Sequence, residues 1–486
     1  MGSRLTEERL HDLPSMISVP SYDRNRIGPG IVHLGVGAFH RAHQAWYTEL
    51  ALERFGGNWG IVGASLRSGD VQQRLLPQDC LYTVVEREGS LNRYRIVGAI
   101  RSVLLAPDEP QALVEQLAHP DTRIVTLTIT EKGYCYDAGR GRLRCDHPDI
   151  RRDLESFPHQ PVTAIGYLAA SLAQRRNLRT RGVTLLSCDN MPDNGQVLKT
   201  VVTDFVALAD PSLIPWIHEH VTFPSSMVDR IVPAATDEDL SALEQVLGYR
   251  DEAAVFTEPF SQWVVENRFA CGAPNWQEVG VLFTEDVTPF ETMKLRLLNG
   301  SHSLMAYLGY LAGHDFVHEV MADEHLGQIV QQYMAHQAEP TLTLPTGYDI
   351  EDYKRSLCRR FANAALNHRT YQIAQDGSLK IPQRWLSSVR DLTRMQLPTR
   401  LLALAVAGWI RYLGGERDDG KTYIVDDPLH ADLVHAAGQG GWVPGVLSHA
   451  PVCGDLISTC PQFMDEVQYY YGRLCAEGVN KTVERF

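Results

Sequence analysis

The first half of this chain alternates short, β-branched apolar runs with longer segments of helical spacing. That alternation constrains the fold more than any other feature of the sequence. "GIVHLGVG" (30–37) ends in glycines and gives way to the helical "AHQAWYTELALERF" (42–55). "WGIVGASL" (59–66), "RYRIVGAI" (93–100), "RIVTLTIT" (123–130) and "GVTLLSCDN" (182–190) read as further strands, with helices expected over 107–120 and 162–177. Strands alternating with helices build a parallel sheet from βαβ units. From about residue 285 the strand signals fade, and long helical segments such as "ETMKLRLLNGSHSLMAYLGYL" and "PTRLLALAVAGWIRYLG" take over. The expected fold is therefore α/β: a Rossmann-type N-terminal domain with a parallel-rich sheet over 1–284, then a mostly α-helical domain over 285–486.

Bulk properties narrow the function. With 486 residues, 44% hydrophobic and 21% charged, the chain has the composition of an ordinary globular protein of two or three domains. Its formal net charge of −14 argues against a nucleic-acid partner, whose phosphates demand clustered Lys and Arg. It argues in the same direction for anionic membrane surfaces. Nine cysteines lie scattered without a CxxC pair, which suits reduced thiols and a cytoplasmic location. The N-terminus "MGSRLTEERLHDLP" has no apolar core of a signal peptide, and no apolar run is long enough to span a bilayer. Nothing in the sequence sets an oligomeric state.

"HLGVGAFHRAHQ" places Gly35 and Gly37 between the first strand and the first helix. There a chain can approach a pyrophosphate closely and offer it free N–H groups. The turn, with Phe39 and with His40 at the place of a third glycine, departs from G-x-G-x-x-G. A ribose-binding acid is expected about 20 residues on, at the tip of the second strand. That strand ends "ASLRSGD", so Asp70 is the candidate for an NAD ribose and Arg67 for an NADP phosphate. NAD is the expected cofactor, with NADP open. His40 and His43, like His314 and His318, lack further ligands at metal-binding spacing, and G-x-S-x-G is absent, so neither a zinc site nor a serine hydrolase is expected.

"ETMKLRLLNGSH" (291–302) carries the chemistry. At about 100° per residue, with Lys294 at 0°, Glu291 falls near 60°, His302 near 80° and Asn299 near 140°. Arg296, at about 200°, points away. The surrounding leucines bury the helix, and buried polar groups need partners or a task. An alcohol–carbonyl oxidoreductase needs a proton acceptor and donors for a developing alkoxide. Lys294 fits the first role, because burial favours the neutral amine. Asn299 and His302 fit the second.

The segments "GVGAFHRAHQ", "LTITEKGYC", "SCDNMPDNG", "FPSSMVDRIVPA", "EPFSQWVVE" and "MKLRLLNGSH" resemble those of the polyol-specific long-chain dehydrogenases/reductases, the mannitol dehydrogenase family. The similarity runs from about residue 27 to beyond 470, and K-x-x-x-x-N-x-x-H is its most specific motif. The resemblance implies a Rossmann-type domain and a helical domain with the active site between them, and hydride exchange with NAD or NADP without a metal. It implies Lys294 as general acid/base, Asn299 and His302 as the oxyanion pair, and Glu291 in a proton path. Asn190 and Asp229 would contact substrate and Lys380 would lie near it. The nucleotide site would include the Gly35–Gly37 turn, Thr130, Glu131 and Asn190.

Two small-molecule substrates compete within the resemblance. "NHRTYQIAQDGSLKIPQR" (367–384) is similar to the fructuronate reductases, which interconvert D-mannonate and D-fructuronate. "GASLRSGD" and "TEDVTPFE" lean toward mannitol 2-dehydrogenases, which interconvert mannitol and fructose. The expected activity is the fructuronate reductase one, with the mannitol one as its alternative. A carboxylate favours a planar guanidinium, and Arg369 is the candidate clamp. A reading of another class, a silent nucleotide-binding regulator, is disfavoured by the joint presence of Lys294, Asn299 and His302.

Overall fold

The computed structural model describes residues 3–345 and 347–486. The chain divides into two compact units, Met1–Thr288 and Pro289–Phe486.

The first unit is built on a six-stranded, all-parallel sheet. Its strands are β1 (Pro29–Leu34), β2 (Gly60–Ser65), β3 (Ile100–Leu105), β4 (Ile124–Leu127), β5 (Val183–Ser187) and β6 (Val221–Thr222). Their spatial order is 3-2-1-4-5-6, that of the doubly wound dinucleotide-binding fold. Alternation along each strand sends side chains to opposite faces. In β1, Val32 and Leu34 join one buried cluster with Val125, Leu127 and Leu185, while Ile31 joins another with Ile61, Ile124 and Leu186. Both faces are therefore covered, as a parallel sheet requires.

The reading of 93–100 as one strand of this sheet is corrected. Leu91–Val97 pairs antiparallel with Tyr82–Glu88 in a separate four-stranded sheet, and β3 begins afterwards, at Ile100. The break falls at Gly98, whose backbone groups bond side chains instead of a neighbouring strand. Its carbonyl accepts from Arg24 Nε at 3.1 Å, and its N–H donates to Glu49 Oε2 at 2.8 Å. Apolar character alone does not reveal a break that side chains elsewhere in the sequence create.

The second unit is helical, and among the described residues it contains no named strand. Arg400–Tyr412 is buried along nearly all of its length and packs against Pro461–Glu484. Such an all-round apolar helix belongs at a centre, where every face finds a partner.

Glu49 lies fully buried on helix Gln44–Phe55, accepting from the Tyr22 hydroxyl at 2.7 Å and from Gly98 N–H. Burial pushes its pKa up to about 7, against the opposing pull of these bonds. A carboxyl whose folded pKa is raised binds its proton more tightly when folded. The stability it contributes is present at low pH and is lost as pH rises from about 4.5 toward 7, on the order of 3 kcal/mol in all. Glu49→Gln should therefore gain stability relative to wild type as pH is raised from 5 to 8. Thermal midpoints of both proteins across that range check this, and a constant difference would refute it.

Candidate active site

In a doubly wound sheet a crevice opens at the carboxyl ends of the strands where the winding reverses, here between β1 and β4. The sequence puts its glycine turn and its "TIT" segment at that place. Gly35 has φ +96°, and a Cβ there would overlap the Thr128 carbonyl, so only glycine fits. Thr128 Oγ1 donates to Gly35 O at 2.7 Å, and His33 Nε2 lies 3.0 Å from the same oxygen. Gly37 is exposed, and a Cβ on it would meet nothing nearer than Gly35 O at 3.9 Å. Beside the turn lies a cleft of about 390 Å³, lined by Gly35, Gly37, Arg67, Thr130 and Lys132 among others.

The remaining residues expected at the cofactor take varied places. His40 is fully buried and stacks on His33 with ring centroids 3.3 Å apart. Its imidazole thus packs against His33, next to the glycine turn in sequence. Phe39 is half-buried and stacks on His43 at 5.0 Å. Asp70 is exposed at the start of helix Asp70–Leu75 and accepts from the Ser68 hydroxyl at 3.1 Å. Thr130 has φ +62°, and Glu131 follows it on the exposed turn. Asn190 is exposed beyond β5, whereas Asp229 is buried at the end of strand Ser226–Asp229.

Asp189 was not singled out from the sequence, yet it fixes this corner. Its buried carboxylate accepts from Ile129 N–H at 3.0 Å, Thr130 N–H at 2.8 Å and the Tyr134 hydroxyl at 2.6 Å. These bonds hold the positive φ of Thr130, which a β-branched residue adopts only under constraint. An acid at the tip of a buried apolar strand, in "LLSCDN", was the available signal.

In the second unit, Lys294, Asn299 and His302 are all buried on one helical run. The run is not uniformly α-helical: Lys294–Asn299 forms a π-turn. The angular positions computed at an α-helical pitch are corrected accordingly. In a π-turn the hydrogen bond spans five residues instead of four, so each residue advances by a smaller angle and Asn299 falls nearer to the line of Lys294 than the α-helical spacing gives. Gly300 N–H reaches back five residues to Leu295 O, bypassing Arg296 O. Arg296 O instead accepts from the Tyr333 hydroxyl at 2.8 Å. Arg384 Nη1 donates to Asn299 O at 3.3 Å and to Ser303 Oγ at 2.8 Å, and Trp385 Nε1 to Gly300 O at 3.1 Å. Arg296 turns elsewhere, pairing with Asp391 at 2.7 Å.

His302 packs 4.8 Å from the Phe361 ring and edge-on to His368 at 5.1 Å. Burial holds its pKa well below the ordinary imidazole range, reinforced by His368, Arg360, Arg384 and Lys294. Burial likewise pushes His368 down to about 4. A neutral imidazole keeps one N–H donor, and His302 Nε2 is buried without a hydrogen-bond partner. Glu291 lies half-buried one turn before Lys294. Lys380 Nζ donates to Gln375 O at 2.5 Å. Arg369 is exposed, with its guanidinium over the Phe316 ring at 5.2 Å.

Residues 29–278 match the mannitol dehydrogenase Rossmann domain and residues 286–475 the mannitol dehydrogenase C-terminal domain. The chain belongs to the mannitol dehydrogenase family and is an oxidoreductase of that family. It is 42% identical to the D-mannonate oxidoreductase of Escherichia coli over 474 residues, covering 96% of this chain and 97% of the relative. It is 39% identical over 498 residues to a mannitol 2-dehydrogenase of Pyricularia oryzae, covering 100% and 99%. Among solved structures, the Pseudomonas fluorescens mannitol 2-dehydrogenase in ternary complex with NAD and D-mannitol superposes with a TM-score of 0.90 at 39% identity. That match covers 99% of each chain.

The π-turn depends on a close approach at Gly300, where a Cβ would overlap the Tyr333 hydroxyl. Gly300→Ala should cost about 1–3 kcal/mol, as overpacking does. Activity should fall with it, because Asn299 and His302 flank the site. Adding Tyr333→Phe, which removes the obstructing oxygen, should make the double mutant less impaired than the two single losses summed. Unfolding and kcat/KM measurements on the four proteins check this, and strict additivity would refute the packing argument.

Proposed function

We propose that this protein is an NAD-dependent oxidoreductase that interconverts the CH–OH group of a sugar acid and its ketone, with D-mannonate and D-fructuronate as the pair. The observation that carries the reading is the buried Lys294–Asn299–His302 array, in which an amine, an amide and a neutral imidazole sit on one helical run.

The cleft at the switch point suits a dinucleotide: the glycine turn cannot carry side chains at Gly35, and Gly37 is exposed with free space around it. Gly35, Gly37 and Thr130 would hold the pyrophosphate side. Arg67 and Asp70 would meet the ribose, with Phe39, the His40 backbone, Glu131 and Asn190 around them. When bound, the nicotinamide supplies the hydride acceptor or donor. NADP is the alternative occupant, Arg67 being the group that would meet its phosphate.

Lys294 takes the hydroxyl proton as the alcohol is oxidised and returns it to the oxygen on reduction. Asn299 and His302 donate hydrogen bonds to that oxygen as its negative charge develops, where preorganised donors contribute most. A neutral His302 serves as such a donor without adding a second ionisation to the pH profile. Glu291 relays the proton outward, and Asn190, Asp229 and Lys380 position the remaining hydroxyls. The alternative pair, mannitol and fructose, uses the same array and differs at one end of the substrate. The 42% identity to a D-mannonate oxidoreductase and the 39% identity to mannitol 2-dehydrogenases leave both within reach. The 367–384 segment favours the acid.

Two measurements test this reading. Lys294→Ala should lower kcat by about 10²- to 10⁴-fold while NADH still binds, since it removes the proton acceptor alone. Retention of more than about half of the wild-type kcat would end its assignment as the base. Asp189→Asn should weaken NADH binding by about 10-fold, the scale of one charge-assisted hydrogen bond. NADH fluorescence titration reads that change, and an unaltered Kd would remove the Ile129–Thr130 turn from the nucleotide site.

A further inference from the structure

Around His302 the second unit gathers an uncommon concentration of positive charge. Arg384, on the π-turn Pro382–Leu386, is fixed against the catalytic run by its bonds to Asn299 O and Ser303 Oγ. Arg360 is 6% exposed at the end of helix Ile350–Phe361, and the next residue, Phe361, packs on the His302 ring. Lys294 lies within the same group, and after burial the influences on His302 are those of His368, Arg360, Arg384 and Lys294, in that order. Two imidazole nitrogens in this group, His302 Nε2 and His368 Nδ1, are buried and have no hydrogen-bond partner. Buried polar atoms of this kind are few in native proteins, and at a candidate site they mark where a ligand completes the bonding.

We propose that this group seats the substrate's carboxylate: Arg384 grips it, Arg360 adds charge from behind, and His368 Nδ1 donates a hydrogen bond beside it. The inference rests on the oxidoreductase reading above and deepens it by fixing the substrate class as a sugar acid. His302 is then left to the reacting oxygen. A guanidinium held by two bonds of its own is preorganised, so little freedom is lost when a carboxylate arrives. An entering anion is attracted by Arg384, Arg360 and Lys294 at once, whereas an uncharged hydroxymethyl terminus gains none of that attraction. Arg369, the guanidinium that the sequence offered for this task, stacks over Phe316 at the surface. The clamp therefore moves from Arg369 to Arg384. His368 remains significant for a different reason, as the neighbour that meets His302 edge-on.

The test compares kcat/KM for D-fructuronate and D-fructose with NADH in wild type, Arg384→Gln, Arg384→Lys and Arg369→Ala. The wild type should prefer fructuronate. Arg384→Gln should lose about 10- to 160-fold on fructuronate, the range of a hydrogen bond to a charged group, and far less on fructose. Arg384→Lys, which keeps the charge, should recover part of the loss. Equal proportional losses on both substrates would overturn the proposal and make Arg384 a support for the π-turn alone. A selective loss in Arg369→Ala instead would return the clamp to that residue. A wild type that turns over fructose alone would overturn the carboxylate seat and leave the oxidoreductase reading standing. Turnover of neither substrate would overturn both. Should Arg384→Gln fail to fold, product inhibition of the wild type reads the same preference. D-mannonate binding at least 10-fold tighter than D-mannitol supports the seat, and equal binding overturns it.

Discussion

The π-turn at Lys294–Asn299 is the constraint on which the arrangement of the buried polar groups of the second unit depends. One extra residue in a helical turn leaves a carbonyl without its usual partner, a cost that must be met from outside the helix. Here three other side chains, from Tyr333, Arg384 and Trp385, supply hydrogen bonds to Arg296 O, Asn299 O and Gly300 O. Each such bond is worth about 1 kcal/mol net, and losing one from a buried carbonyl costs more than that. The turn is thus held by tertiary contacts, and those contacts also set where Asn299 stands relative to Lys294. Gly300 is required because the Tyr333 hydroxyl that satisfies Arg296 O occupies the space of a Cβ. The placement of Asn299 and the helix irregularity have one cause.

The first unit solves a related problem with buried polar groups. Its nucleotide turn is a stretch of backbone at strand ends, where the ladder no longer supplies partners. Thr128 and His33 bond to Gly35 O from one side, and Asp189 bonds to Ile129 and Thr130 N–H from the other. His33 is fully buried and stacks on His40, and burial pushes its pKa down to about 3, so it serves as a neutral hydrogen-bonding strut. Like the π-turn, the cleft is shaped by side chains far away in the sequence: Thr128 is 93 residues from Gly35, and Asp189 is 59 from Thr130.

That separation explains what the sequence disclosed and what it did not. Four strands of the parallel sheet, β1, β2, β4 and β5, were legible as short apolar runs buried on both faces. By contrast, β3 was read too early in the chain, and the two-residue β6 was too short to leave a signal. The GxG turn was legible because only glycine tolerates the approach at Gly35. The K-x-x-x-x-N-x-x-H run was legible as a set of residues, though not as a geometry. An α-helical wheel sets Lys294 and Asn299 about 140° apart, an angle that the wider π-turn narrows. The break at Gly98 was hidden because Arg24 and Glu49 cause it. The stacking of His40 on His33 was likewise hidden, because the motif shows the place of His40 and not the partner of its ring. The sequence offered Arg369 by residue type and passed over Arg384, because only packing shows which guanidinium is held against the Lys294–His302 run.

The cationic group and the catalytic array are best understood together. Burial first, and then His368, Arg360, Arg384 and Lys294, hold the pKa of His302 well below the ordinary imidazole range, which favours the neutral ring. A neutral ring can donate to an alkoxide without competing with Lys294 for the proton. The same charges attract an anion, and a bound carboxylate would partly offset them. On the seat proposed above, substrate charge and ionisation would be linked: an acid occupying it would change the field at Lys294 and His302, and a neutral polyol would not. In such a site discrimination between an acid and a polyol acts on the chemical step as well as on binding, because the groups that recognise the substrate's far end also set the electrostatics where its proton moves.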